Sequence, residues 1–147
     1  MEVRLERLTK RFGSVVAVDD LSLTLNDGEM VGLLGPSGCG KSTTLFMLAG
    51  LLTPDEGEIW FGDQNVTGIP PEKRGIGLVF QNYALYPHMT VLGNIMFPLL
   101  NVKTPKQKAI MMAEEMAELV QIRELLQRKP SELSGGQQQR VAIARAL

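Results

Sequence analysis

The sequence predicts an α/β protein with an antiparallel β subdomain, an α/β core built around a glycine-rich loop, and an α-helical subdomain. Three observations predict it. The first 34 residues carry the apolar–polar alternation of strands. The apolar run Met30 to Leu34 leads into a glycine-rich loop and then a helical stretch, the order of a strand–loop–helix unit. After Gln81 the texture changes, and from Pro105 apolar residues recur at helical spacing.

Each element has its own local signal. Val3, Leu5 and Leu8 roughly alternate with charged neighbours. Val15 to Val18, followed by Asp19 and Asp20, reads as a hairpin strand with its acids toward solvent. Leu21, Leu23 and Leu25 alternate strictly with Ser22 and Thr24, and Asn26-Asp27-Gly28 is a turn. Met30 to Leu34 is expected to be a strand buried on both faces. Lys41 to Leu51 reads as a helix with Leu45, Leu48 and Leu52 on one stripe, stopped by the stretch Thr53 to Gly57. Ile59, Phe61 and Val66 suggest a hairpin around Gly62-Asp63, Pro70-Pro71 a loop, and Gly75 to Phe80 a second buried strand ending at Gln81. Pro87 and Pro98 are read as breakers in the mixed, aromatic stretch Asn82 to Leu100. Ala109, Met112, Ala113, Met116 and Leu119/Val120 predict one helical face, with a second helix near Arg123 to Arg128, ended by Pro130. Ser134-Gly135-Gly136 opens a last helix. The expected division is 1–81 for the β subdomain and core, 82–134 for the helical subdomain and 135–147 for the last helix.

Composition narrows the function. Fifteen Lys+Arg against 16 Asp+Glu leave a net charge of -1, which argues against a protein that grips nucleic-acid backbone. At 44% hydrophobic and 21% charged, the chain is not disordered by composition. A single cysteine, Cys39, forms no intrachain disulfide. Charges interrupt Met1 to Arg7, unlike a signal peptide, and no apolar run approaches the length of a bilayer span.

Gly35-Pro36-Ser37-Gly38-Cys39-Gly40-Lys41-Ser42 fits the pattern GxxxxGK(S/T) between a predicted strand and a predicted helix, the context that gives the pattern meaning. Glycines let successive amides point inward, and a helix beginning near Gly40 adds the positive end of its dipole. Lys41 would reach β- and γ-phosphates, Ser42 would offer a hydroxyl to Mg²⁺, and Thr43 would support an α-phosphate. Cys39 is either a small residue that fits the loop or a thiol whose alkylation blocks nucleotide binding. Such loops belong to P-loop NTPase cores of many kinds, so this one does not choose between kinases, GTPases, motors and transport ATPases.

A second motif does choose. Leu133-Ser134-Gly135-Gly136-Gln137 places a good N-cap and two bare glycines at a helix N-terminus, a second anion site without a lysine of its own. With it, the sequence resembles the ABC ATPase family, whose signature is LSGGQ. The resemblance implies ATP as ligand with Mg²⁺, and a head-to-tail dimer with a second ATPase subunit. Each ATP would lie between one subunit's phosphate loop and its partner's Ser134, Gly135, Gly136 and Gln137. It further implies that Gln81 contacts Mg²⁺ and the attacking water, and that Phe12 stacks on adenine beside Val18. The stretch Val79 to Val91, with Pro70 to Arg74, is similar to carbohydrate importer ATPases of the maltose and glycerol-phosphate type; polyamine and iron importers carry near variants. Transmembrane permease subunits would then contact the Tyr83 to Pro87 region, and the protein would sit peripherally on the cytoplasmic face of the membrane. His88, the one histidine, lies before the signature and does not match the family's later switch histidine. The Asp19-Asp20 pair precedes the loop and does not match the family's Mg²⁺-binding acid. The resemblance spans essentially all 147 residues but about the first three-fifths of a family ATPase domain. The family's catalytic Glu follows the signature helix and has no counterpart in these 147 residues, so the alternative expectation is a nucleotide-binding module without hydrolysis.

Overall fold

Strand β1, Val3–Phe12, pairs antiparallel with β2, Val15–Leu25, on one side and with β3, Glu56–Phe61, on the other. A two-residue strand β4, Gln64–Asn65, completes a sheet of order β2-β1-β3-β4. The computed structural model describes residues 1–147, and the chain divides into two compact units, Met1–Ile76 and Gly77–Leu147.

In the first unit, Leu5 faces Leu23 on β2 and Ile59 on β3. Leu5 and Leu8 are both buried although they stand three apart, which strict alternation forbids. A register shift between them, with Arg7 at φ 49°, turns Leu8 back to the core face. The core continues through Val18, Met47, Ile59, Phe61 and Val66.

Helix α1, Lys41–Leu48, is shorter than its apolar pattern predicts, and its buried residues are Thr44 and Met47. Leu45 is 43% exposed while Leu48 and Leu52 are partly buried, so the predicted leucine stripe is only partly the packing face. The C-terminal end of α1 is held by Arg74, which is buried. Its guanidinium donates to the carbonyls of Met47 and Leu48 at 2.8 Å, Ile69 at 2.7 Å and Thr67 at 3.0 Å. A cation there complements the negative end of the helix dipole, although burial lowers its pKa from the ordinary guanidinium value. Gly50 closes the turn at φ 77°, and a Cβ at that position would lie 2.6 Å from Arg74 Nε.

Two predicted strands are absent. Neither Met30–Leu34 nor Gly75–Phe80 belongs to the sheet, and Met30 and Leu34 are 98% and 95% exposed. A strand buried on both faces needs hydrogen-bonded neighbours, and β1 to β4 pair among themselves instead.

The second unit contains α2, Val91–Asn101, α3, Lys106–Leu119, and α4, Gly135–Ala146. Thr90 caps α2 by accepting from Gly93 N. Pro98 lies inside α2 rather than ending it. It forfeits one intrahelical bond, while Val91, Ile95 and Met96 on the same helix are buried. On α3 the buried face is Ala109, Ala113 and Ala117, whereas Met112 and Leu119 are exposed. Small side chains every fourth residue bring α3 close to its neighbours, and Val91, Ile95, Ile122, Leu125, Val141 and Ala144 fill the space between. In place of a second helix at Arg123 to Arg128 there is a 3₁₀ turn, Arg123–Leu125. No helix is long and apolar enough to cross a membrane.

Candidate nucleotide site

The phosphate loop lies in the first unit and ends in Gly40, which has φ 88° and serves as the N-cap of α1. Two constraints demand glycine there. The left-handed conformation disfavours a side chain, and a Cβ would stand 2.3 Å from Ala17 O and 3.2 Å from Val18 Cγ2 on β2. The loop is thereby pressed onto the strand that carries Val18. No side chain caps the first amides of α1, which have no intrahelical partner.

Lys41 folds back over the loop. Its ammonium donates to Gly35 O and Pro36 O at 2.7 Å each and lies 3.3 Å from Cys39 Sγ. Cys39 and Ser42 are exposed. Thr43 is half-buried, and Thr44 returns its hydroxyl to Gly40 O at 3.0 Å. A groove of about 280 Å³ runs along this surface, lined in part by Ala17, Val18, Cys39, Gly40, Lys41 and Thr44. Loop and Val18 thus share one groove. Phe12 is not among its lining residues; it is 49% exposed on β1, with Lys10 Nζ 5.7 Å from its ring centroid. Sequence reasoning missed Ala17, whose carbonyl explains why position 40 cannot carry a side chain.

The Ser134 site lies in the second unit. Ser134 Oγ accepts from Gln137 N at 3.3 Å, and Gln137 Oε1 accepts from Ser134 N at 2.9 Å. This reciprocal capping box starts α4. A Cβ added at Gly135 or Gly136 would meet nothing within 4 Å, so no packing inside the chain demands glycine at either. Ser134, Gly136 and Gln137 border a groove of about 370 Å³ whose wall also includes Arg140, Gln121 and Glu124. Arg140 is the cation bordering this groove, and its Nη1 donates to Val120 O at 3.2 Å.

Gln81 is exposed at the start of a turn in the same unit. Of the residues that follow, Ala84, Pro87 and His88 are exposed, and Tyr83, Leu85 and Tyr86 are half-buried. Leu85 packs on the helical core. No group of three or more His, Cys, Asp or Glu is arranged to hold a metal. The exposed Ser42 hydroxyl, with phosphate oxygens and water, would offer a hard divalent cation oxygen donors.

An uncapped helix start, a lysine folded onto the loop and a glycine forced by backbone contact have the form of a phosphate loop. The chain belongs to the ABC transporter family, whose model matches residues 18–147. It is 54% identical to the trehalose/maltose import ATP-binding protein MalK of Thermococcus litoralis, over 99% of this chain and 41% of that protein. It is also 54% identical to the xylose/arabinose import ATP-binding protein XacJ of Haloferax volcanii (99% and 38%). Identity is 51% to the spermidine/putrescine import ATP-binding protein PotA of Rubrobacter xylanophilus (99% and 38%). Among solved structures, the dimeric MJ0796, a bacterial ABC transporter cassette, matches with TM-score 0.87 and 34% identity over 99% of this chain and 68% of that one. The chain spans about two fifths of the length of the curated relatives it matches.

Proposed function

We propose that this chain is the nucleotide-binding part of the ATP-binding subunit of an ABC importer, which couples ATP binding and hydrolysis to uptake of a sugar. The observation that carries the reading is the start of α1, where uncapped amides and Lys41 converge on one groove. In this reading the amides and Lys41 hold the β- and γ-phosphates, and Thr43 supports the α-phosphate. Ser42 and Gln81 serve Mg²⁺, which when bound neutralises charge on the phosphates. Val18 offers the base an apolar contact and Phe12 a stacking face. The glycines of the Ser134 site support its facing a second subunit's ATP. Each is a weaker helix former than alanine with no internal packing reason, as expected where another molecule approaches the backbone. Membrane subunits would dock on Tyr83 to Pro87, placing the protein peripherally at the cytoplasmic face. The sugar class rests on the relatives named for trehalose/maltose and xylose/arabinose import. A polyamine is the second reading, favoured by the relative named for spermidine/putrescine import.

The test uses the full-length subunit with its membrane subunits in vesicles. Lys41→Ala is expected to weaken ATP binding about 10- to 100-fold and to abolish ATP-driven uptake. ATP binding by Lys41→Ala as tight as wild type would sink the reading. Uptake of labelled disaccharide against labelled spermidine decides the solute class.

A further inference from the structure

The turn after Gln81 leaves ordinary backbone geometry at two consecutive residues that carry side chains. Tyr83 has φ 60° and Ala84 φ 46°, a left-handed region that residues with a Cβ occupy at a cost. Its own bonds are sparse: Tyr83 N donates to Phe80 O at 2.9 Å and Ala84 N to Asn82 O at 2.8 Å. The brace comes from the far end of α4. Arg145 donates from Nη1 to Ala84 O at 2.7 Å and from Nη2 to Tyr83 O at 2.9 Å, and its Cζ lies 5.6 Å from the Tyr86 ring centroid. One planar fork therefore binds both carbonyls of the turn and covers the next aromatic, an arrangement an ammonium does not reproduce. Burial lowers the pKa of Arg145, so the guanidinium loses hydration in taking up this position.

The other end of the segment is fixed independently. Asn94 of α2 is fully buried. It accepts from Tyr86 N at 2.8 Å and donates to the carbonyls of Tyr86 at 3.1 Å and Thr90 at 3.0 Å. Asn94 ties the segment to α2, whereas Arg145 hydrogen-bonds it to the helix that begins at Ser134.

We propose that Arg145 is a positioning residue that holds the Tyr83–Tyr86 turn in the conformation on which a membrane subunit docks. The same fork makes the turn follow α4, so a ligand that displaces the Ser134 end of α4 displaces the docking turn with it. The inference rests on the reading of Tyr83 to Pro87 as the permease-docking region.

The test uses the full-length subunit assembled with its membrane subunits, carrying a photo-cross-linking amino acid at exposed His88. Wild type, Arg145→Lys, Arg145→Ala and Arg145→Ala combined with Ala84→Gly are compared. Arg145→Ala is expected to lower both cross-linking and permease-stimulated ATP turnover about tenfold, with ATP affinity changed by less than about twofold. Arg145→Lys should fall between. Ala84→Gly should restore about half of the loss, because glycine adopts the left-handed turn without a brace. A merely structural arginine would not be rescued in this way. Should Arg145→Ala prove unfolded by circular dichroism, Arg145→Lys with and without Ala84→Gly carries the same comparison. Wild-type cross-linking with an unaffected or unrescued Arg145 variant overturns the inference alone, as does an equal loss of ATP affinity. Failure of the wild type to cross-link overturns the docking reading, and the inference with it.

Discussion

Helix α1 begins at Gly40 with no side chain on its first amides, whereas α4 begins at Ser134 with a capping box that satisfies two of its own donors. The cations differ as well. Lys41 lies folded onto the loop carbonyls, while Arg140 stands in the wall of the α4 groove. So do the glycines: Gly40 is forced by a backbone oxygen 2.3 Å from its absent Cβ, and Gly135 and Gly136 face open space. Two segments that look alike as glycine-rich helix starts thus have different physical states. The first leaves its opening amides without a side-chain partner. The second is a finished helix terminus whose bare backbone leaves room for something outside.

The sharpest way to break this contrast is alanine at the two kinds of glycine. Gly40→Ala is expected to destabilise the first unit by at least about 3 kcal/mol, through backbone overlap and the left-handed φ together. Gly136→Ala should change stability by no more than about 1 kcal/mol, in the stabilising direction, because alanine is the better helix former. Urea unfolding of the full-length protein reads both; similar losses for the two variants would erase the distinction. A smaller effect tests the cap. Ser134→Ala should cost about 1 kcal/mol of α4 stability and leave the ATP affinity of the dilute, monomeric subunit unchanged, as measured by unfolding and nucleotide titration. A loss of affinity would mean that the two helix starts are not independent in one subunit.

The smallest effect concerns the sheet behind the loop. Asp55 accepts from Arg11 N at 2.6 Å and from Lys10 Nζ at 2.9 Å. The Arg11 amide first, and Lys10 second, hold its carboxyl below the usual carboxylate range. The folded pKa is the lower one, so the stabilisation is fully present above the unfolded value of about 3.9 and is lost as pH falls through the folded value. Asp55→Asn should therefore be less stable than wild type at neutral pH and converge on it in acid. A pH series of melting temperatures checks this, and a constant gap down to acid pH would contradict it.

Much of the local structure was legible. Alternation marked β1 and β2, and the fall of the chain at Gly62-Asp63 marked the turn between β3 and β4. Ser134 was recognisable as a cap, although the return bond from Gln137 follows only from its position three residues on. The apolar runs Met30 to Leu34 and Gly75 to Phe80 misled, because hydrophobicity reports a wish for burial and not the presence of a pairing neighbour. The helical faces were read one step wide: on α3 alanines, not Met112 and Leu119, take the core, since close helix approach selects small side chains.

The sequence by itself determined the chemistry on offer: a phosphate loop with its lysine, a second glycine-rich helix start, and an aromatic stretch after Gln81. Those are local properties, set by spacing along a few residues. Tertiary structure alone decided that Ala17 O lies against Gly40, that Arg74 closes α1 through four carbonyls, and that Arg145 braces the turn at Tyr83 and Ala84. Each is a meeting between a side chain or backbone atom and carbonyls, most of them distant in sequence. A carbonyl is present at every residue, so no motif announces which ones an arginine will find.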